Sequence, residues 1–216
     1  VEHFSKTNSF GDEPEPPTPD PTPLTNEKMS DIVIHIEQVE KIILAINESK
    51  SPGPDKISNK MIKILCPALS CILPILFNKS LSESFYPAEW KTADVVPIFK
   101  NKGDKDDFTN YCPISLTSCL AKLFETCVLQ HLEKYPVNDL QWIYNGQSGF
   151  LKGDSTNNQF VSKIDDLVTG LEKNSVVRFI FLDIEKAFGR ARHKAILSKL
   201  SQAGVSSNVV QWIESY

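Results

Sequence analysis

The stretch SVVRFIFLD, residues 175–183, decides the fold. It is a short, nearly continuous run of β-branched and aromatic side chains, a pattern that suits a strand covered on both faces. A covered strand needs neighbours, so the reading is an α+β chain in which this strand belongs to a sheet. Asp183 closes the run, and its carboxylate is expected at the C-terminal end of the strand, where ligands and metals gather in many sheet folds. An Asp at that position also serves as a turn residue or as the N-cap of a following helix. Phe188, five residues on, reads either as core or as the flank of a site.

Working outward, helices dominate both sides. Upstream, IEQVEKIILAIN places Ile36, Val39, Ile43 and Ile46 at helical spacing, and Pro52, Gly53 and Pro54 force a turn after it. A second helical region spans residues 58–81, interrupted by Pro67 and Pro74, which begin or kink helices. The segment Ala93–Phe99 has strand character, and Pro97 assigns it to an edge or a bulge. A polar loop with several lysines, KNKGDKDDFTNYC, follows. Ser115 or Ser118 then caps a helix whose apolar face carries Leu116, Leu120, Leu123, Phe124, Val128 and Leu132. Further helices are expected over 156–173, 190–202 and 207–216, with Gly204 as a stop between the last two. There is no internal repeat.

Composition narrows the class. The chain has 216 residues, of which 41% are hydrophobic and 23% charged, which excludes collagen-like and wholly disordered classes. The longest greasy segment, residues 72–77, is far short of the roughly 18 apolar residues that span a bilayer. The first twenty residues lack an apolar core, so no signal peptide is expected, and an opening Val suggests a fragment or a processed product. Residues 11–25 hold six of the 14 prolines without a single base, and residues 1–30 read as a disordered acidic linker. The net charge of −4 splits into −6 over residues 1–50 and +2 over the remainder. That balance argues against binding nucleic acid through a bulk positive field, while leaving room for a local basic track. Only Arg178, Arg190 and Arg192 among the 23 cationic residues offer a bidentate fork. Five cysteines, at 66, 71, 112, 119 and 127, lack CxxC spacing and do not cluster with the four histidines. They read as free thiols in a reducing, intracellular compartment rather than as zinc ligands. His131 and His193 read as surface or packing residues.

The combination of motifs is more specific than any one of them. FLDIEKAFGRARHKAILSKL (181–200) resembles a polymerase palm motif of the form LDxxKAFDxVxHxxLLxKL, and PIFKNKGDKDDFTNYCPISLTSCLAKLFE (97–125) resembles PIxKKGDxxxxxNYRPISLxxxxxKxFE. SPGPDKISNKMIK and LFNKSLSESFYPAEWKTADVVPI stand before them, GQSGF between them and WIESY at the end. Over residues 36–216 the chain resembles the reverse transcriptases of non-LTR (LINE-like) retrotransposons. The resemblance implies a right-hand polymerase fold with helical fingers and an incomplete palm, in which residues 31–91 precede or form the fingers and 92–216 hold fingers and partial palm. It implies RNA-directed DNA synthesis from dNTPs on an RNA template with a DNA primer. It also implies two Mg²⁺ ions, roughly 3.5–4 Å apart in such mechanisms. By the same resemblance Asp183 is the first catalytic carboxylate and a metal ligand, with the carbonyl of Ile184 beside it. Lys100, Lys102 and Phe188 meet the incoming nucleotide, and Gln147, Ser148 and Phe150 lie near the template. No membrane and no stable protein partner is expected.

Three departures weigh against catalysis. Cys112 stands where the motif has Arg, and losing such a donor in a transfer site typically costs about 2.7–4 kcal/mol of transition-state stabilisation. Gly189 replaces the Asp of KAFD, and no Y/F-x-D-D element occurs in the 216 residues. The adjacent acids Asp106-Asp107 and Asp165-Asp166 lack the required aromatic. The competing reading is a degenerate remnant that keeps only weak nucleic-acid binding. For the lysine loop, the plain alternative is a solvated connection.

Overall fold

The computed structural model describes residues 26, 28–135, 146–173, 176–184, 187 and 191–216. The expected linker over residues 11–25 lies outside them, as do Phe188, Gly189 and Arg190. Among the described residues there are seven α-helices and a two-stranded antiparallel sheet, so the α+β class holds. No helix among them is long and apolar enough to cross a membrane.

Helix α1, Ile36–Ala45, buries Val39, Ile42 and Ile43, a spacing of three and four that lines one face. The region 58–81 forms two helices rather than one kinked helix. Helix α2, Asn59–Ile64, ends at Leu65, and helix α3, Cys66–Ser82, starts with Pro67 in its first turn. A proline is tolerated there because its missing N–H would have no helical partner. Pro74 stays inside α3 and is buried.

Strand β1, Ala93–Phe99, pairs with strand β2, Tyr111–Thr117. The sequence pattern assigns residues 113–117 of β2 to the approach and start of a helix instead. Pro113 disguises the strand, and the register explains how it is accommodated. Lys100 N–H donates to the Asn110 carbonyl at 2.8 Å, and hydrogen-bonded pairs alternate along an antiparallel ladder. Counting back, Pro97 and Pro113, which face each other, form a pair that exchanges no hydrogen bonds. Both missing N–H groups therefore fall on the outer edges of the sheet. Leu116 belongs to β2, and Ser118, not Ser115, caps helix α4, Cys119–Glu133. Its hydroxyl accepts from the N–H groups of Leu120 and Ala121 at 3.2 and 3.4 Å.

The expected covered strand is corrected. Residues 176–184 form no strand, and Ile180, Phe181 and Leu182 are exposed. The only paired strands among the described residues are β1 and β2, and a strand cannot be covered without partners. Helix α5, Thr156–Glu172, and helix α6, His193–Gln202, bury no residue, and Phe160, Ile164 and Val168 of α5 are exposed. Helix α7, Ser207–Glu214, follows Gly204 as expected and buries Val209 and Trp212. Packing is in place by Met29, which is buried and donates its N–H to the Gly204 carbonyl at 2.8 Å.

The core is aromatic at its centre. Phe124 of α4 stacks on Phe77 of α3 at 4.3 Å between centroids, and Trp212 of α7 meets Phe124 edge-on at 4.9 Å. Tyr86 lies parallel to Phe124 at 6.4 Å. Buried aromatics with polar tips need partners, and these have them. The Tyr86 hydroxyl donates to Glu125 Oε1 at 2.8 Å, and the Tyr86 N–H donates to Ser215 Oγ at 2.8 Å. Trp212 Nε1–H donates to Ser80 Oγ at 3.0 Å, whose own hydroxyl donates to the Phe85 carbonyl.

Burial, reinforced by the Glu125 carboxylate, pushes the Tyr216 phenol up to about 12 and moves Tyr86 the same way. Both phenols ionise later in the folded chain than in the unfolded one. The stability they contribute is therefore present below about pH 10 and is lost as pH rises towards 12. Replacing Tyr216 with Phe should flatten the alkaline limb of a plot of denaturant stability against pH. An unchanged limb would mean that this phenol is not held as described.

Candidate functional site

The described site residues fall into three groups: the tip of the β1–β2 hairpin, the loop before α5 and the end of the 176–184 segment. The tip, residues 100–110, is held in shape by its own polar groups. Lys100 Nζ donates to the Thr109 carbonyl at 2.9 Å, Asn110 Nδ2 to the Asp104 carbonyl at 2.8 Å, and the Tyr111 hydroxyl to the Lys105 carbonyl at 2.9 Å. Gly103 has φ +83°, and a Cβ there would lie 2.5 Å from the Asn110 side chain, so only glycine fits. Lys105 Nζ sits 5.9 Å from the centre of the Phe99 ring, and Lys102 is exposed. Cys112, exposed, stands opposite Ile98 in the ladder. The lysines thus stand on a tip with its own hydrogen-bonded structure, in which Lys100 is itself a part of the frame.

Before α5, the Ser148 hydroxyl donates to Gln159 Oε1 at 2.7 Å and so ties the loop to the helix. Gln147 Nε2 donates to the Gly149 carbonyl at 3.1 Å. Phe150 adopts φ +63° and is 91% exposed. An aromatic held outward in a left-handed conformation is uncommon.

Asp183 and Ile184 are exposed at the end of the extended segment. No group of three or more His, Cys, Asp or Glu side chains able to hold a metal gathers among the described residues. Phe188 lies outside them. A further element is read from the sequence as a turn and as one of the resemblance strings, but not as a contact. The loop 51–56 packs onto the junction of β2 and α4, where the Ser118 hydroxyl donates to Asp55 Oδ2 at 2.6 Å. Its signal is the SPGPD string itself.

A sequence profile of the family described as reverse transcriptase (RNA-dependent DNA polymerase) matches residues 100–216. Among curated proteins, a probable RNA-directed DNA polymerase from transposon BS of Drosophila melanogaster is 28% identical over 169 residues, covering 78% of this chain and 18% of the relative. The RNA-directed DNA polymerase from mobile element jockey of the same species is 29% identical over 167 residues, covering 77% and 18%. Its counterpart in Drosophila funebris is 28% identical over 184 residues, covering 85% and 20%. The chain therefore spans about a fifth of the length of these relatives.

The cysteines give a direct check on the site's exposure. Cys71 and Cys112 are exposed, whereas Cys66, Cys119 and Cys127 are buried. Burial pushes all three buried thiols up, Cys127 to about 12. A thiol reagent should label two cysteines in the native chain and all five in denaturant, as counted by mass spectrometry. Native labelling at Cys127, or protection of Cys112, would contradict this arrangement.

Proposed function

The chain belongs to the reverse transcriptase (RNA-dependent DNA polymerase) family, and we propose that it forms the fingers and the opening part of the palm of a non-LTR retrotransposon polymerase. Residues 31–91 form or precede the fingers and 92–216 hold fingers and partial palm. The observation that carries the reading is the ordered hairpin tip at the start of the matched region, with Lys100, Lys102 and Lys105 on a frame fixed by its own hydrogen bonds.

The chemistry of the whole enzyme is attack of a primer 3′-hydroxyl on the α-phosphorus of a dNTP, with pyrophosphate as leaving group, directed by an RNA template. In that reaction Lys100 and Lys102 are point charges for the triphosphate. Phe188 flanks the sugar, and Gln147, Ser148 and Phe150 lie along the template, where an outward aromatic offers a stacking face to a base. Mg²⁺ takes hard oxygen ligands in near-octahedral order. Asp183 and the Ile184 carbonyl are such ligands, but two exposed oxygen donors with no acid cluster beside them among the described residues do not fit a pair of ions. No step is therefore assigned to metal on these residues alone. Cys112 adds to the deficit, since a thiol cannot grip a phosphate as Arg does.

The 216-residue chain is accordingly expected to bind single-stranded RNA weakly, with affinity falling steeply between 50 and 200 mM salt. It should show no primer extension, and Cys112→Arg with Gly189→Asp should not restore it. Salt-independent binding would refute the phosphate contacts. Extension that disappears on Asp183→Ala would refute the account of the metal site.

A further inference from the structure

The hairpin that carries the lysines is exposed on both faces, so something other than its own core must fix its direction. The loop 51–56 does this through its backbone and its side chains together. Gly53 lies flat on the β2–α4 junction. A Cβ there would come within 2.6 Å of Ser118 N and of the Thr117 carbonyl carbon, backbone atoms that cannot move aside. Asp55 Oδ2 accepts from the Ser118 hydroxyl at 2.6 Å while Oδ1 accepts from Ile57 N–H at 3.1 Å. The Cys119 thiol points to the Ser51 carbonyl at 3.9 Å. On the other strand, Lys56 Nζ meets Asp94 Oδ2 at 3.0 Å.

Together they grip the sheet from both strands at its open end, opposite the tip. Asp94 stands beside the first residue of β1, and Ser118 follows the last residue of β2. The Lys56–Asp94 pair is exposed and contributes little by itself. The Asp55–Ser118 bond is different, because Ser118 is buried and its hydroxyl also caps α4. A charge-assisted bond to the capping hydroxyl fixes the rotamer that both interactions need.

We propose that the 51–56 loop is a positioning latch for the lysine-bearing hairpin, with Asp55 as a positioning residue that acts through Ser118. The latch sets where Lys100, Lys102 and Lys105 stand relative to the helical body. Its role in substrate binding rests on the reading of those lysines as phosphate ligands; its mechanical role does not.

The test uses the full 216-residue chain and two readouts. In Asp55→Ala, hydrogen exchange of the ladder-bonded amides of Asp94, Val96, Ile98, Cys112, Ile114 and Leu116 and of the capped amides of Leu120 and Ala121 should accelerate about tenfold or more, while the amides of α1 and α3 keep their protection. Binding of a single-stranded RNA oligonucleotide should weaken severalfold. The slope of log affinity against log salt should also become shallower by about 0.7 for each phosphate that the lysines no longer reach. Asp55→Asn keeps a carbonyl acceptor for Ser118 and should recover most of both effects. If Asp55→Ala does not fold, Asp55→Asn decides, with smaller acceleration confined to the same amides. Unchanged hairpin exchange in a folded variant, or acceleration spread evenly over α1 and α3, would overturn the latch. If the unmodified chain binds no RNA at all, the reading of the lysines as phosphate ligands fails, and exchange alone still decides the latch.

Discussion

Phe124 stacks face to face on Phe77, and helix α4 is fixed by that contact to the helical body. The remaining architecture is arranged along α4. Its middle carries the aromatic cluster with Tyr86, Trp90 and Trp212. Its first residue continues directly from the capping Ser118, at the end of β2. The hairpin therefore inherits its place from α4, and α4 inherits its place from an aromatic stack in which the Tyr86 hydroxyl and the Trp212 indole N–H both find acceptors. Aromatic pairs of this geometry contribute about 0.5–1.5 kcal/mol each beyond the area they bury, so a cluster of several is a large share of a marginal stability.

This division of labour separates what is rigid from what is bare. The helices α1, α3, α4 and α7 share one core. Helix α5 and residues 176–184 contribute nothing to it and expose Phe160, Ile164, Phe181 and Leu182. These exposed apolar residues lie within or near the GQSGF and FLDIEKAF strings. Side chains of this kind gain free energy only when covered, about 25 cal/mol for each Å² removed from water. Asp183 sits at the end of the bare segment, which is why the carboxylate has no built surroundings among the described residues. The lysine-bearing hairpin, by contrast, is anchored.

Much of this is legible in the sequence, for physical reasons that can be named. The helices α1, α4, α5 and α7 follow from apolar spacing, α4 and α5 with serine caps besides, and Gly204 ends α6 as expected. Strand β2 is not legible because YCPISLT holds a proline and lacks strict alternation. Only the register, which sets Pro113 against Pro97, shows how a proline fits. The run 175–183 reads as a covered strand because its side chains demand cover, and periodicity says nothing about whether partners exist. At the site, Lys100, Lys102, Gln147 and Asp183 are proposals that rest on the family likeness of the motifs around them. The Asp55–Ser118 bond joins residues 63 apart in sequence, a pairing that no local pattern encodes.

Helix α4, held by the Phe124 stack, transmits order from the helical core to the hairpin. Native-state hydrogen exchange on Phe124→Ala tests it most directly. Truncating a buried Phe typically costs about 3–5 kcal/mol. Protection of α1, α3, α4 and the β1–β2 amides should fall together by an amount in that range. A loss below about 1 kcal/mol, or a hairpin that keeps its protection while α4 loses its own, would contradict it.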